Sequence, residues 1–138
     1  MTVTVPPGYQ PKEDESFMNP VMKEYFRQKL TVWKEELRKE SGETLQHLQE
    51  VSLQEPDIAD RASLETEHSL ELRTRDRERK LIQKIEAALR RLDEDSYGYC
   101  EETGEAISVR RLEARPIATL SIESQERHER LERTHRDD

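Results

Sequence analysis

Apolar residues recur along the first part of the chain at the spacing of one helix face. Phe26, Leu30, Trp33 and Leu37 follow at intervals of four, three and four, the seam of a coiled-coil-like pairing. The seam falters at Ser41, Gly42 and Thr44 and resumes with Leu45, Leu48 and Val51. Gly42 costs about 1 kcal/mol relative to alanine inside a helix, so this section is expected to be looser or bent. A second pattern carries Leu64, His68 and Leu72, and then a run without any apolar residue, Arg73-Thr74-Arg75-Asp76-Arg77-Glu78-Arg79-Lys80. Apolar periodicity returns with Leu81, Ile82, Ile85, Leu89 and Leu92. If the chain folds back near Ile58, the charged run lies opposite residues 35–43 and the gap in the first seam. That match predicts two antiparallel helices.

The ends of these helices are marked by capping and breaking residues. Asn19 followed by Pro20 reads as an N-cap with proline at the first helical position, where its missing N–H costs nothing. Pro56 cannot continue the first helix and biases Glu55 away from it. Asp60 can cap the second helix, and so can Asp57 if that helix begins earlier. The expected product is a hairpin of two arms of roughly 35 residues, each about 50 Å long at about 1.5 Å per residue. Its tip falls at residues 56–62. Gly98 is the expected turn or C-terminal cap of the second arm.

Residues 1–18, with Pro6, Pro7, Gly8 and Pro11, read as a flexible N-terminal arm whose end Phe17 and Met18 could pin down. Residues 19–95 form the hairpin, and residues 96–138 a small globular knob plus a C-terminal helix from about Ser121 to Arg133, with the last residues fraying. Within the knob, Ile107-Ser108-Val109 is a candidate short strand, and Tyr97, Tyr99, Ile107, Val109, Leu112, Ile117, Leu120 and Ile122 are its candidate core. The fold class is therefore mainly α: a long antiparallel coiled-coil hairpin, a degenerate zinc-finger-like knob and a final helix.

Composition supports exposed helices over a thick core, since only 32% of residues are hydrophobic while 39% are charged. The net charge of -8 and pI of about 5.2 weigh against sequence-independent binding to nucleic acid or anionic membrane. No stretch approaches the roughly 20 apolar residues of a membrane span, and the first residues do not read as a signal peptide. A cytoplasmic protein is expected. The single cysteine, Cys100, excludes an internal disulfide and fits a reducing compartment.

Three constellations are candidates for chemistry. The basic run from Arg73 to Lys80 can bind phosphates or an acidic partner; its plainer reading is a solvated face paired with glutamates of the opposite arm. Asp57 and Asp60 can hold Mg²⁺ or touch a basic groove, or can simply cap helices. Cys100, followed by Glu101-Glu102-Thr103-Gly104, has the shape of a zinc knuckle lacking its second ligand. One sulfur cannot hold a structural zinc, hydroxyls are poor substitutes, and no histidine stands at a metal-ligand spacing from Cys100, so no metal site is expected. Cys100 is then a small buried hydrophobe or a candidate redox thiol.

The run from Ser69 through Arg73-Thr74-Arg75-Asp76-Arg77-Glu78-Arg79-Lys80 to Leu81-Ile82, the stretch Asp95-Ser96-Tyr97-Gly98-Tyr99-Cys100, and Arg110-Arg111-Leu112-Glu113-Ala114-Arg115-Pro116 closely resemble the DksA/TraR family of RNA polymerase-binding transcription factors. The resemblance extends from about Tyr9 to the last helix. It implies a hairpin that enters the polymerase secondary channel, with Asp57, Asp60 and Ala62 matching the family's tip motif near the catalytic centre. Arg73 and Arg77 match positions that dock to the channel rim. Leu81, Lys84 and Arg115 match positions that line the binding site of the alarmone ppGpp, which acts with the family in the stringent response. Gln125 stands where a basic residue is usual. The implied function is non-enzymatic control of promoter-complex stability by a monomer that neither recognises DNA sequence nor binds membranes. Four-cysteine members have cysteine where this chain has Thr103, Ser121 and Ser124, so the chain looks like a low-cysteine, zinc-independent member.

Two rival readings stand beside this one. A transcript-cleavage factor of the Gre type uses the same channel and tip carboxylates, and a coiled-coil scaffold would need no polymerase at all.

Overall fold

The computed structural model describes residues 3–52 and 58–137, with side chains at all of these except 44, 45, 47–52, 58–64 and 135–137. They form four helices, α1 (Pro20–Ser52), α2 (Ile58–Asp93), α3 (Val109–Ala114) and α4 (Ile122–Asp137). The mainly α class holds. The only β pairing among the described residues is an isolated antiparallel bridge between Tyr99 and Ala106.

α1 begins as its sequence dictates: the Met22 N–H donates to Asn19 Oδ1 at 3.0 Å, and Pro20 opens the helix. The helix runs through Gly42 without interruption. α2 starts at Ile58, so Asp60 lies inside its first turn and does not cap it. Asp57, the other candidate cap, lies outside the described residues. At the far end α2 closes two residues after its last turn, and the closing residue is not Gly98. Asp95 takes the left-handed conformation (φ 61°), Ser96 N–H reaches Arg91 O at 2.9 Å and Asp95 N–H reaches Leu92 O at 3.4 Å. This is a Schellman closure. The Lys23 ammonium pairs with the Asp95 carboxylate and helps keep a non-glycine residue in that strained conformation. Gly98 has a different task. A Cβ on it would lie 2.9 Å from Phe17 Cζ, so the glycine lets the Phe17 ring approach.

The chain divides into two compact units. The first comprises Met1–Leu30 and Ala87–Asp138. Met22, Phe26 and Leu30 recur every four residues on α1 and are fully buried, as is Ala88 of α2, with Leu92 nearly so. The Phe26 ring meets Tyr97 at 5.6 Å, and Arg27 ties α1 to Asp93 at 2.6 Å. The preceding segment lies on the same body: Met18 is buried, Phe17 stacks edge-on against Tyr99 at 5.3 Å, and Tyr9 meets Tyr25 at 5.7 Å while donating to Glu15 Oε1 at 2.8 Å. Burial first, and then the Glu15 acceptor, pushes the Tyr9 phenol up to about 12.

The second unit is Thr31–Glu86, where the two long helices run antiparallel. Leu37 and Ile85 are buried, and Lys34 and Arg38 of α1 both reach Glu86 of α2, at 3.6 and 3.4 Å. The two gaps in apolar periodicity do come together. Glu78 stands half-buried there with an unpartnered carboxylate oxygen, and desolvation, reinforced by Glu40 on α1, raises its pKa.

The knob corrects three local expectations. Ser108 is an N-cap that accepts from Arg111 N–H at 3.2 Å, so Val109 begins α3 and the expected strand over 107–109 does not form. Its core is Tyr97, Cys100, Ile107, Val109, Leu112, Ile117 and Ala118, whereas Tyr99 and Ile122 are exposed. α4 continues to Asp137, past the expected end at Arg133. Thr134 supports the extension by bonding back to Arg130 O at 3.0 Å.

Candidate functional site

Most of the candidate residues lie along α2. Asp60 and Ala62 belong to its first turns; their side chains, and Asp57 as a whole, lie outside the described residues. Arg73 and Arg77, four apart and thus on one face, are both exposed. Among the described residues the ion pair made by the basic run is Arg79 with Asp76 at 3.2 Å, within α2 itself. Arg73 and Arg77 are therefore free to meet an external acid.

Leu81 is half-buried and Lys84 exposed, three residues apart on α2 in the second unit. Arg115 belongs to the first unit, where it ends α3 with its N–H on Arg111 O at 2.7 Å and its side chain in solvent. Sequence reasoning missed what holds this helix. Lys29 donates to both the backbone oxygen and Oε1 of Glu113, each at 2.9 Å, and the Tyr25 hydroxyl binds the same carboxylate. Burial, and then Glu113, pushes the Tyr25 phenol up to about 12. The Arg111 guanidinium adds a bond to Leu120 O at 2.9 Å. The signal for this clamp is long-range, since Lys29 and Glu113 are separated by most of the chain. Gln125 is half-buried and spends its amide on Glu129 at 3.3 Å.

The knuckle around Cys100 is built from hydrogen bonds. Gly104 N–H returns to Cys100 O at 2.9 Å, and Cys100 N–H to Glu105 O at 2.8 Å, which closes the turn. The buried thiol lies 3.3 Å from the fully buried Ser124 hydroxyl, which in turn accepts from Ser121 Oγ at 3.2 Å. Burial works to raise the thiol's pKa. Hydrogen bonds from the Ser124 hydroxyl, the Ser121 N–H, and the Thr103 hydroxyl and N–H outweigh it and hold the pKa down to about 5. A structural zinc finds one sulfur here and otherwise serine and threonine hydroxyls, a donor set that does not fit it. Among the described residues no three His, Cys, Asp or Glu side chains gather as metal ligands would.

This arrangement predicts that Ser124→Ala moves the thiolate's ultraviolet absorbance midpoint upward from about 5. Because the folded pKa lies below the ordinary thiol value of 9.0, the thiolate's contribution to stability is complete above 9.0 and is lost as pH falls through about 5. Ser124→Ala should flatten that part of the stability profile; an unchanged midpoint would contradict the hydrogen-bonded thiolate.

Residues 22–92 match the family model described as DnaK suppressor protein DksA, N-terminal domain. Residues 95–130 match the prokaryotic dksA/traR C4-type zinc finger, although this chain retains one cysteine. The chain belongs to the DksA family. It is 65% identical over 130 residues, 94% of this chain and 92% of the relative, to the RNA polymerase-binding transcription factor DksA of Caulobacter vibrioides. It is 49% identical over 115 residues, 83% of this chain and 76% of the relative, to the protein of the same name from Escherichia coli strain K12. Among solved structures, the transcription factor DksA2 from Pseudomonas aeruginosa superposes with a TM-score of 0.82 at 41% identity, covering 90% of this chain and 94% of that one. No helix among the described residues is long and apolar enough to cross a membrane.

Proposed function

We propose that this protein is a transcription regulator that binds RNA polymerase and makes or breaks no bond itself. The observation that carries the reading is the 65% identity over 94% of the chain to a relative named for polymerase binding. The hairpin tip, with Asp57, Asp60 and Ala62, enters the secondary channel, and Arg73 and Arg77 hold the channel rim. Leu81, Lys84 and Arg115 receive ppGpp, whose phosphates suit the two cations. The regulator changes promoter-complex lifetime by binding one polymerase conformation better than another. It acts as a cytoplasmic monomer without reading DNA sequence.

The supporting chemistry for rim docking is the pair of exposed arginines with no ion-pair partner among the described residues. Replacing both by glutamate, Arg73→Glu with Arg77→Glu, should weaken binding of the labelled protein to core polymerase by about tenfold or more, since each reversal turns an attraction into a repulsion. Unchanged affinity would remove these residues from the docking surface.

The protein also works without zinc. Support comes from the Cys100, Ser121 and Ser124 hydrogen bonds, which join the knuckle turn to the start of α4. Purified protein should contain no stoichiometric zinc, and its melting temperature should not fall in excess chelator. One tightly held zinc per chain would contradict this.

A further inference from the structure

The gap in the apolar seam of the second unit is an open cleft of about 340 Å³, in the size range of small-molecule sites. Arg38 of α1 and Arg75 and Arg79 of α2 line it, with Leu72 and Ile82 supplying apolar walls. Arg75 and Arg79 are four apart and share one face of α2. Two residues turn an α-helix by about 200°, so Arg73 and Arg77 stand on the other side. The cleft is thus a basic feature separate from the proposed rim contact, and it shares no residue with Leu81, Lys84 and Arg115.

Gly42 also lines the cleft, and a Cβ at this position would have no atom within 4 Å, so a side chain there meets open space. Arg38 is held by Glu86 at 3.4 Å and Arg79 by Asp76 at 3.2 Å, while half-buried Arg75 has no ion-pair partner among the described residues. Asp76 also lines the cleft and opposes an anion there, but it is exposed and can turn outward. On a chain of net charge -8, diffuse electrostatics repel anions, so an anion held here is held by local guanidinium geometry.

We infer that this cleft binds a small phosphorylated ligand, its phosphate between Arg75, Arg79 and Arg38 and its ring or apolar part against Leu72 and Ile82. The planar guanidinium fork matches phosphate oxygens in pairs, and the walls take a flat moiety. This site does not depend on polymerase, so its test stands apart from the function proposed above.

Isothermal titration of the full chain with pyrophosphate and with adenosine diphosphate tests it. Saturable binding of both is expected, tighter for the nucleotide. The pair Arg75→Gln with Arg79→Gln should weaken both by at least about tenfold, while Arg73→Gln with Arg77→Gln leaves them unchanged. Gly42→Leu adds a side chain to the cleft lining without altering charge and should weaken binding while circular dichroism shows helicity preserved. The inference is overturned by absence of saturable binding, by equal losses in the two arginine pairs, or by full binding to a folded Gly42→Leu variant. Equal affinity for the two probes overturns the role given to Leu72 and Ile82.

Discussion

Phe26→Ala lowers the stability of the protein by about 3–5 kcal/mol. The ring is fully buried and meets Tyr25 at 5.3 Å and Tyr97 at 5.6 Å, so truncation opens a cavity where α1 meets the knob. Neighbours have little freedom to fill it, because the Tyr97 hydroxyl is fixed on Pro116 O at 2.7 Å. Small proteins are stable by only about 5–15 kcal/mol, and a chain with 32% hydrophobic residues has few other contacts to draw on. Denaturant unfolding should show a lower midpoint with similar cooperativity; a loss under about 1 kcal/mol would mean that the packing around Phe26 does not organise the unit. Leu37→Ala, at a position 7% exposed in the other unit, serves as a comparison of the same chemistry.

The long helices were legible because their signals are local and periodic. Phe26, Leu30 and Leu37 face inward as their spacing predicts, and Asn19 caps α1 through its own side chain. Met22 extends the same row one turn earlier, at a four-residue spacing from Phe26. The knob was harder to read, since its hydrogen bonds join residues far apart in the chain. Ser108 reads locally as part of a strand, although a serine three residues before Arg111 can equally cap a helix. Asp95 closes α2 in a conformation that favours glycine, which is why Gly98 reads as the cap; the Lys23 contact that supports Asp95 comes from the start of α1, 72 residues earlier in the chain.

The candidate site was legible in a different way. Asp57, Asp60, Ala62, Arg73, Arg77, Leu81, Lys84 and Arg115 came from resemblance to a family, and periodicity alone left the aspartates as helix caps. α2 begins before Asp60, which removes the capping explanation for that residue. The Lys29 and Tyr25 clamp on Glu113 could not be found from spacing, because nothing local marks a lysine that reaches across 84 residues.

Asp60→Asn has the largest expected effect on function. The change removes one charge at nearly constant shape, and the lost attraction to the helix dipole is about 0.3–1 kcal/mol, so the helix and the fold survive. A regulator acts only through differential contacts with two polymerase states. If the tip carboxylate makes that contact, the variant keeps its rim affinity through Arg73 and Arg77 and loses its effect on the promoter complex. A Gre-type factor would instead lose stimulation of transcript cleavage, and a scaffold would show no change. The direct measurement is transcription from a ribosomal RNA promoter with and without ppGpp, alongside polymerase affinity, for wild type and Asp60→Asn. The account predicts undiminished binding with inhibition abolished in the variant; inhibition equal to wild type would contradict it.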